Sequence, residues 1–150
     1  MNDRLKTIVD LDKYPIHDLN SSIIKKLIER CKKELEENSC STISNFILPQ
    51  SLKVMNLELE KQLDEVYMSK ESINAYLYAK DDPSLPKDHP KRNFMNRYNG
   101  YLNSDCFSNN SEMKYLYETE ELLKFVSACL GVSPIYRWAD PLACHAYNVM

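Results

Sequence analysis

Hydrophobic and polar positions recur along this chain with two periods, and each change of period marks an element. Ile23, Ile24, Leu27, Ile28, Cys31 and Leu35 fall three or four apart, with Lys25, Lys26, Glu29, Arg30, Lys32 and Lys33 between them. That spacing predicts an amphipathic helix, because such positions share one helix face. Asn20 or Ser21 can cap it by accepting from an unpaired N–H of the first turn, and Asn38-Ser39 ends it. Ser41 to Leu48 is short, partly β-branched and stopped by Pro49, which predicts a strand. A second helix is expected from Pro49 through Leu52, Met55, Leu59, Leu63 and Val66. Proline suits its first turn, where the missing N–H has no intrahelical partner to lose.

Ile73, Ala75 and Leu77 then alternate with polar or tyrosine positions and predict an extended segment over 73–78. Pro83, Pro86 and Pro90 make residues 81–92 an irregular loop, since residues before proline avoid the helical region. A further extended stretch runs from Arg97 to Leu102. A third helix, with Thr119 as its cap, carries Leu122, Leu123, Phe125, Val126, Cys129 and Leu130 and closes at Gly131, with Pro134 just beyond. Leu142 to Met150 reads as a last strand. No turn or polar tail follows it, so an interrupted strand with an unpaired edge is expected there.

Composition narrows the function classes. The 19 basic and 22 acidic residues give a net charge of −3, which leaves no electrostatic footprint for a nucleic acid or an anionic membrane. A hydrophobic fraction of 43% against 27% charged residues fits a folded domain rather than a disordered chain. With only two glycines, Gly100 and Gly131, no glycine-rich phosphate loop can be written. The start of the chain lacks the apolar run of a signal peptide, and no stretch approaches the roughly 20 apolar residues of a membrane span. Five cysteines in no C-x-x-C spacing predict reduced thiols rather than disulfides or zinc, hence a cytoplasmic protein.

The candidate chemistry is sparse. His17, His89 and His145 are dispersed and belong to no metal-binding motif, so separate roles are expected for them. Cys144 and His145 are neighbours, but adjacent residues on a strand point to opposite faces; a nucleophile–base pair is therefore not expected, and Cys144 reads as a core residue. Glu118, Glu120 and Glu121 complement the dipole at a helix start. Lys87, His89, Lys91, Arg92 and Arg97, interleaved with Phe94, Tyr98 and Tyr101, superficially resemble a single-strand nucleic-acid surface. The local basic surplus is too small to outweigh the balanced whole. An arginine here can instead anchor a small carboxylate through its two-pronged guanidinium.

Several separated segments carry a family resemblance. They are Asp81-Asp82-Pro83-Ser84-Leu85-Pro86-Lys87-Asp88-His89-Pro90-Lys91-Arg92, Asn99-Gly100, the run from Leu116-Tyr117-Glu118 through Phe125-Val126 to Leu130-Gly131, Tyr136-Arg137-Trp138-Ala139-Asp140-Pro141-Leu142, and Asn148-Val149-Met150. In this order they resemble the ArpA-like branch of the iron(II)/2-oxoglutarate oxygenases, which is similar to the free-amino-acid hydroxylases and halogenases. The resemblance is close over about residues 73–150 and extends more weakly, in the order of helices and strands, to residue 20.

The resemblance implies an α+β fold: N-terminal helices with the first strands of a double-stranded β-helix (jelly roll), the sheet incomplete. Residues 1–150 form one partial domain, with 1–17 expected as a loosely ordered leader. In such proteins the strand ending Asn-Val-Met leads to a His-x-Asp, or His-x-Gly in halogenases, that binds iron. A distal histidine and a 2-oxoglutarate-binding arginine come later. This chain contains none of these, so no catalytic or metal-ligating residue is assigned. The implied function is that of the N-terminal portion of an oxygenase that hydroxylates or otherwise oxidises a small, amino-acid-like substrate. Fe(II) and 2-oxoglutarate serve the complete fold and are not expected to bind this chain alone. By the same resemblance, Arg97 is the candidate for the substrate carboxylate and Asn148 for the cosubstrate. The alternative is a non-catalytic binding or interaction protein whose sheet edge at 144–150 is covered by self-association or a partner strand.

Overall fold

The computed structural model describes residues 3–142 and 144–149. It contains helices and a three-stranded antiparallel sheet. The helices are α1 (Leu5–Ile8), α2 (Ser22–Asn38), α3 (Pro49–Glu60), α4 (Glu112–Glu118) and α5 (Glu120–Leu130), and the strands are β1 (Tyr67–Asn74), β2 (Phe94–Asn103) and β3 (Ala146–Val149). The sheet order is β1-β2-β3, open at both sides. No helix among the described residues is long and apolar enough to cross a membrane.

The helical layer follows its sequence signals closely. Ser21 caps α2, its Oγ accepting the Ile24 N–H at 3.3 Å, and Ser39 closes it in the left-handed conformation at φ 56°. Ile24, Leu27 and Cys31 are buried on the face turned to α5, which supplies Phe125 and Cys129. Gly131 ends α5 at φ 67°, where a side chain would be strained. Pro49 opens α3, but that helix stops at Glu60 rather than Val66, and a short 3-10 turn at Leu63–Glu65 leads into β1.

Four expectations need correction. Residues 3–17 are no loose leader: Leu5, Ile8 and Val9 are fully buried, and Tyr14 and Ile16 join them in the core. Polar ties fix the segment, with Ser51 Oγ donating to the Thr7 carbonyl at 2.8 Å and Arg4 lying over the Tyr115 ring. The segment 41–48 is not a strand. It makes one bridge, Val9 to Ile47, because the chain opposite is extended only briefly after α1 and Asn45 turns left-handed at φ 57°. Ile43, Phe46 and Ile47 pack on the core instead.

The third correction moves β1 upstream. Residues 75–78 form a turn built on Asn74, whose Oδ1 accepts the N–H groups of Tyr76 and Tyr78 at 3.0 and 3.1 Å. Its Nδ2 donates to the Lys91 carbonyl at 2.6 Å, so the buried amide is satisfied on both ends. The fourth is partial: Thr119 does stand at the N-cap of α5, but its hydroxyl donates to the Leu116 carbonyl of α4, which ends there, and makes no cap bond. At the chain's end β3 begins at Ala146, after Leu142 and Cys144, while Ala143 and Met150 lie outside the described residues.

The end of β2 is tied to the segment that leads into β3. Ser104, at the end of β2, donates its N–H to the Leu142 carbonyl at 3.1 Å and its hydroxyl to the Pro141 carbonyl. Leu102, fully buried, and Phe107 pack at that end of the sheet. A Cβ on Gly100 would overlap Met68 Sδ and Val66 Cγ1, so a larger residue there would force these side chains to shift.

The burial of residues 3–17 can be checked directly. Ile8→Ala should cost about 2–4 kcal/mol in urea unfolding, as for other fully buried large-to-small changes, while Ile23→Ala at a half-exposed site should cost under about 0.5 kcal/mol. Equal, small effects at both positions would restore the loose leader.

Candidate functional site

Strand pairing decides which side chains share a face of the sheet. Tyr101 of β2 lies opposite both Tyr67 of β1 and Asn148 of β3, and Arg97 lies opposite Glu71. Directly paired residues point the same way, and alternate residues along a strand share a face. One face therefore carries Tyr67, Ser69 and Glu71 from β1, Arg97, Asn99 and Tyr101 from β2, and Asn148 from β3. It carries hydrogen-bonding groups in its middle, an aromatic pair at one end, with the rings of Tyr67 and Tyr101 5.2 Å apart, and the apolar pair Ile73 and Met95 at the other.

Arg97 and Asn148, the two residues singled out by sequence, are thus on the same face. Four residues along β2 and one strand across separate them, which is roughly 14 Å. Both are exposed. Arg97 donates from Nε to Asn99 Oδ1 at 3.1 Å and, among the described residues, forms no ion pair. The outer nitrogens of its guanidinium remain available to a carboxylate. Ser69 and Glu71 escape a reading of sequence alone, because only the pairing register groups them with Arg97.

The proline-rich loop before β2 is organised by its own charges. Arg92 grips Asp81 with two parallel hydrogen bonds of 2.8 and 2.7 Å and reaches the Leu85 carbonyl at 3.0 Å. The Arg92 bond holds the Asp81 carboxyl below its ordinary value. His89 Nδ1 accepts the Lys91 N–H at 3.2 Å, a local cap. Of the basic residues in this region, Arg92 is committed to holding the loop and Arg97 is not.

A second cluster lies where the chain enters β3, and it corrects the reading of Cys144 and His145. These two residues form a bend before the strand, so the face-alternation rule does not apply to them. Cys144 Sγ sits 3.3 Å from His145 Nδ1, and Cys144 is half-buried rather than a core residue. The His145 ring packs against Phe107 and Tyr117, with centroids 6.2 and 5.9 Å away. Tyr117 also receives the Trp138 N–H on its hydroxyl at 2.8 Å, and its carbonyl accepts from Arg137 Nε at 3.3 Å. Arg137 pairs in addition with Glu120, so the 137–138 segment is strapped over the α4–α5 junction. Burial pushes the His145 imidazole below its ordinary value; Lys114 adds to this and Glu118 opposes it. Burial likewise raises the Tyr147 phenol, with a smaller contribution from Glu58.

Neither cluster builds an iron site. His17 is exposed near the N-terminus, His89 is engaged in the loop and His145 is bonded to Cys144. Among the described residues, no group of three or more His, Cys, Asp or Glu side chains could hold a metal ion. The residues present therefore do not fit a facial two-histidine, one-carboxylate centre.

His145 should leave a mark on pH dependence. Its folded pKa is depressed, so the unfolded chain binds the proton more readily. The stability this confers is full above the unfolded value, about 6.5, and is lost as pH falls below it. Urea midpoints measured from pH 7.5 to 5 should therefore fall less steeply for His145→Gln than for the parent chain. Identical slopes would remove the buried imidazole from the account.

Comparison with protein-family models, with curated proteins and with solved structures gave no match to this chain.

Proposed function

We propose that this chain is the N-terminal portion of a cytoplasmic iron(II)/2-oxoglutarate oxygenase that hydroxylates or otherwise oxidises a small, amino-acid-like substrate. In that reading its open sheet is the first part of a double-stranded β-helix. The observation that carries it is the shared sheet face: an arginine with no ion pair among the described residues and an asparagine, solvent-facing, set about 14 Å apart among Ser69, Glu71, Asn99 and Tyr101. That span accommodates two small ligands side by side. Arg97 would hold the substrate carboxylate through a bidentate, charge-assisted pair, with Glu71 opposite it suited to a substrate ammonium. Asn148, with one acceptor and two donors, would contact the cosubstrate. Among the described residues no second layer covers this part of the sheet: Tyr67, Met95 and Tyr98 are more than half exposed, so most of β1 and the first half of β2 have solvent on both faces. Iron would be held by residues outside this chain.

One feature favours the alternative of a non-catalytic interaction protein. Both outer strands, β1 and β3, have an unpaired edge among the described residues, and such edges recruit further strands. Light scattering coupled to size-exclusion chromatography separates the readings: a dimer that dissociates when Asn148→Pro blocks the β3 edge supports association, and a monomer argues against it.

Two outcomes test the oxygenase reading. The coding sequence downstream of codon 150 should supply a His-x-Asp or His-x-Gly, a second histidine and an arginine. A stop codon there, with no neighbouring reading frame supplying these residues, would sink it. The chain as given should not take up Fe(II) at a defined 1:1 site in an anaerobic calorimetric titration, with or without 2-oxoglutarate. Micromolar-or-tighter stoichiometric binding, abolished by His89→Ala and His145→Ala, would instead make this chain a self-contained metalloprotein.

A further inference from the structure

We propose that Cys144 is a modification site: a histidine-assisted thiol that exchanges with low-molecular-weight disulfides. This stands apart from the oxygenase reading and requires neither iron nor 2-oxoglutarate.

Geometry carries the argument. Cys144 Sγ lies 3.3 Å from His145 Nδ1, well within reach of a thiol hydrogen bond, whereas the competing Pro141 carbonyl is 4.0 Å away. The imidazole is held in place by Phe107 and Tyr117. Its other nitrogen, Nε2, is buried and has no hydrogen-bond partner among the described residues. Among the described residues the sulfur is the one polar contact the ring makes, and packing against Phe107 and Tyr117 fixes its orientation. Cys144 itself is half-buried.

The charged groups facing the ring come from α4: Lys114, which disfavours the imidazolium, and Glu118, which favours it. Tyr147 of β3 adds a buried hydroxyl and Glu58 of α3 lies beyond it. Burial and Lys114 hold the imidazole below its ordinary value against Glu118, and in the tautomer protonated at Nε2 the Nδ1 atom accepts the Cys144 S–H. The pair then works as a thiol with an adjacent general base rather than as a standing thiolate–imidazolium.

The chemistry balances without a further oxidant. The S–H proton passes to Nδ1 as Cys144 sulfur attacks one sulfur of a small disulfide. A new S–S bond forms, the original one breaks, and the departing thiolate leaves as a thiol after taking the proton from His145. Cys144 is oxidised to a mixed disulfide and half of the reagent is reduced.

The other cysteines supply internal references. Cys31 and Cys129 are buried against each other's helices, and burial pushes the Cys129 thiol up to about 12, so both should be inert. Cys40 is exposed and no histidine is hydrogen-bonded to it. The folded chain would be incubated with 2-hydroxyethyl disulfide at pH 7, and mixed-disulfide formation followed at each cysteine by peptide mass spectrometry. Cys144 should react about tenfold faster than Cys40 despite its lower exposure. His145→Gln should bring Cys144 to the Cys40 rate or below while leaving Cys40 unchanged. In concentrated urea the two rates should converge in the parent chain, which keeps the test decisive if the variant misfolds. A Cys144 rate no greater than that of Cys40 in the folded parent overturns the proposal. So does a Cys144 rate unaffected by a folded His145→Gln, or an advantage that persists in urea.

Discussion

Everything else in this chain depends on the apolar seam between α2 and α5, closed from one side by residues 3–17. Ile24, Leu27 and Cys31 meet Phe125 and Cys129 there, with Leu5, Ile8, Val9 and Ile16 completing the enclosure. Phe46 links the layers, its ring stacked 6.1 Å from Phe125 and tilted against Tyr14. Each of these side chains contributes on the order of 1.5–3 kcal/mol by leaving water. The sheet has no comparable seam of its own. It is fastened at one end, through Leu102, Phe107 and the Ser104 bonds to residues 141–142, and extends into solvent from there.

That asymmetry explains the character of the sheet. A two-sided polar strand gains little by burial, so β1 is held chiefly by its pairing with β2. The Asn74 turn and the Arg92–Asp81 grip then determine where β1 ends and β2 begins. Arg97 is left in the middle of the exposed half, with its guanidinium uncommitted. Arg92, five residues earlier, has the same chemistry but spends its donors on the loop. The difference between a structural and a ligand-facing arginine here is a matter of partners already taken.

Much of the helical layer was legible in the sequence. The period of Ile24, Leu27 and Cys31, the Ser21 cap, proline at the start of α3 and Gly131 after α5 are local signals, each read within a few residues. The strands were less legible. In Tyr67-Met68-Ser69-Lys70-Glu71-Ser72 no alternation of buried and exposed positions exists to be found, because most of the segment is exposed on both faces. Ile73, Ala75 and Leu77 alternate yet form a strand end and a turn, with Leu77 in the left-handed region at φ 64°. α4 is short and reads into α5, so the sequence shows Thr119 at the start of α5 but not that its hydroxyl bonds to α4.

The sequence by itself determined the helical core and the absence of a glycine-rich phosphate loop. Periodicity, capping and composition are properties of neighbouring residues, and neighbours are what a sequence lists. Tertiary structure alone decided that Arg97 and Asn148 share a face, since that follows from a register between strands distant in the chain. It alone turned the N-terminal segment into core, because Leu5 and Ile8 are apolar enough to bury but too few to form a periodic pattern. And it alone joined Cys144 to His145, since a bend rather than a strand at those positions reverses the rule for where their side chains point.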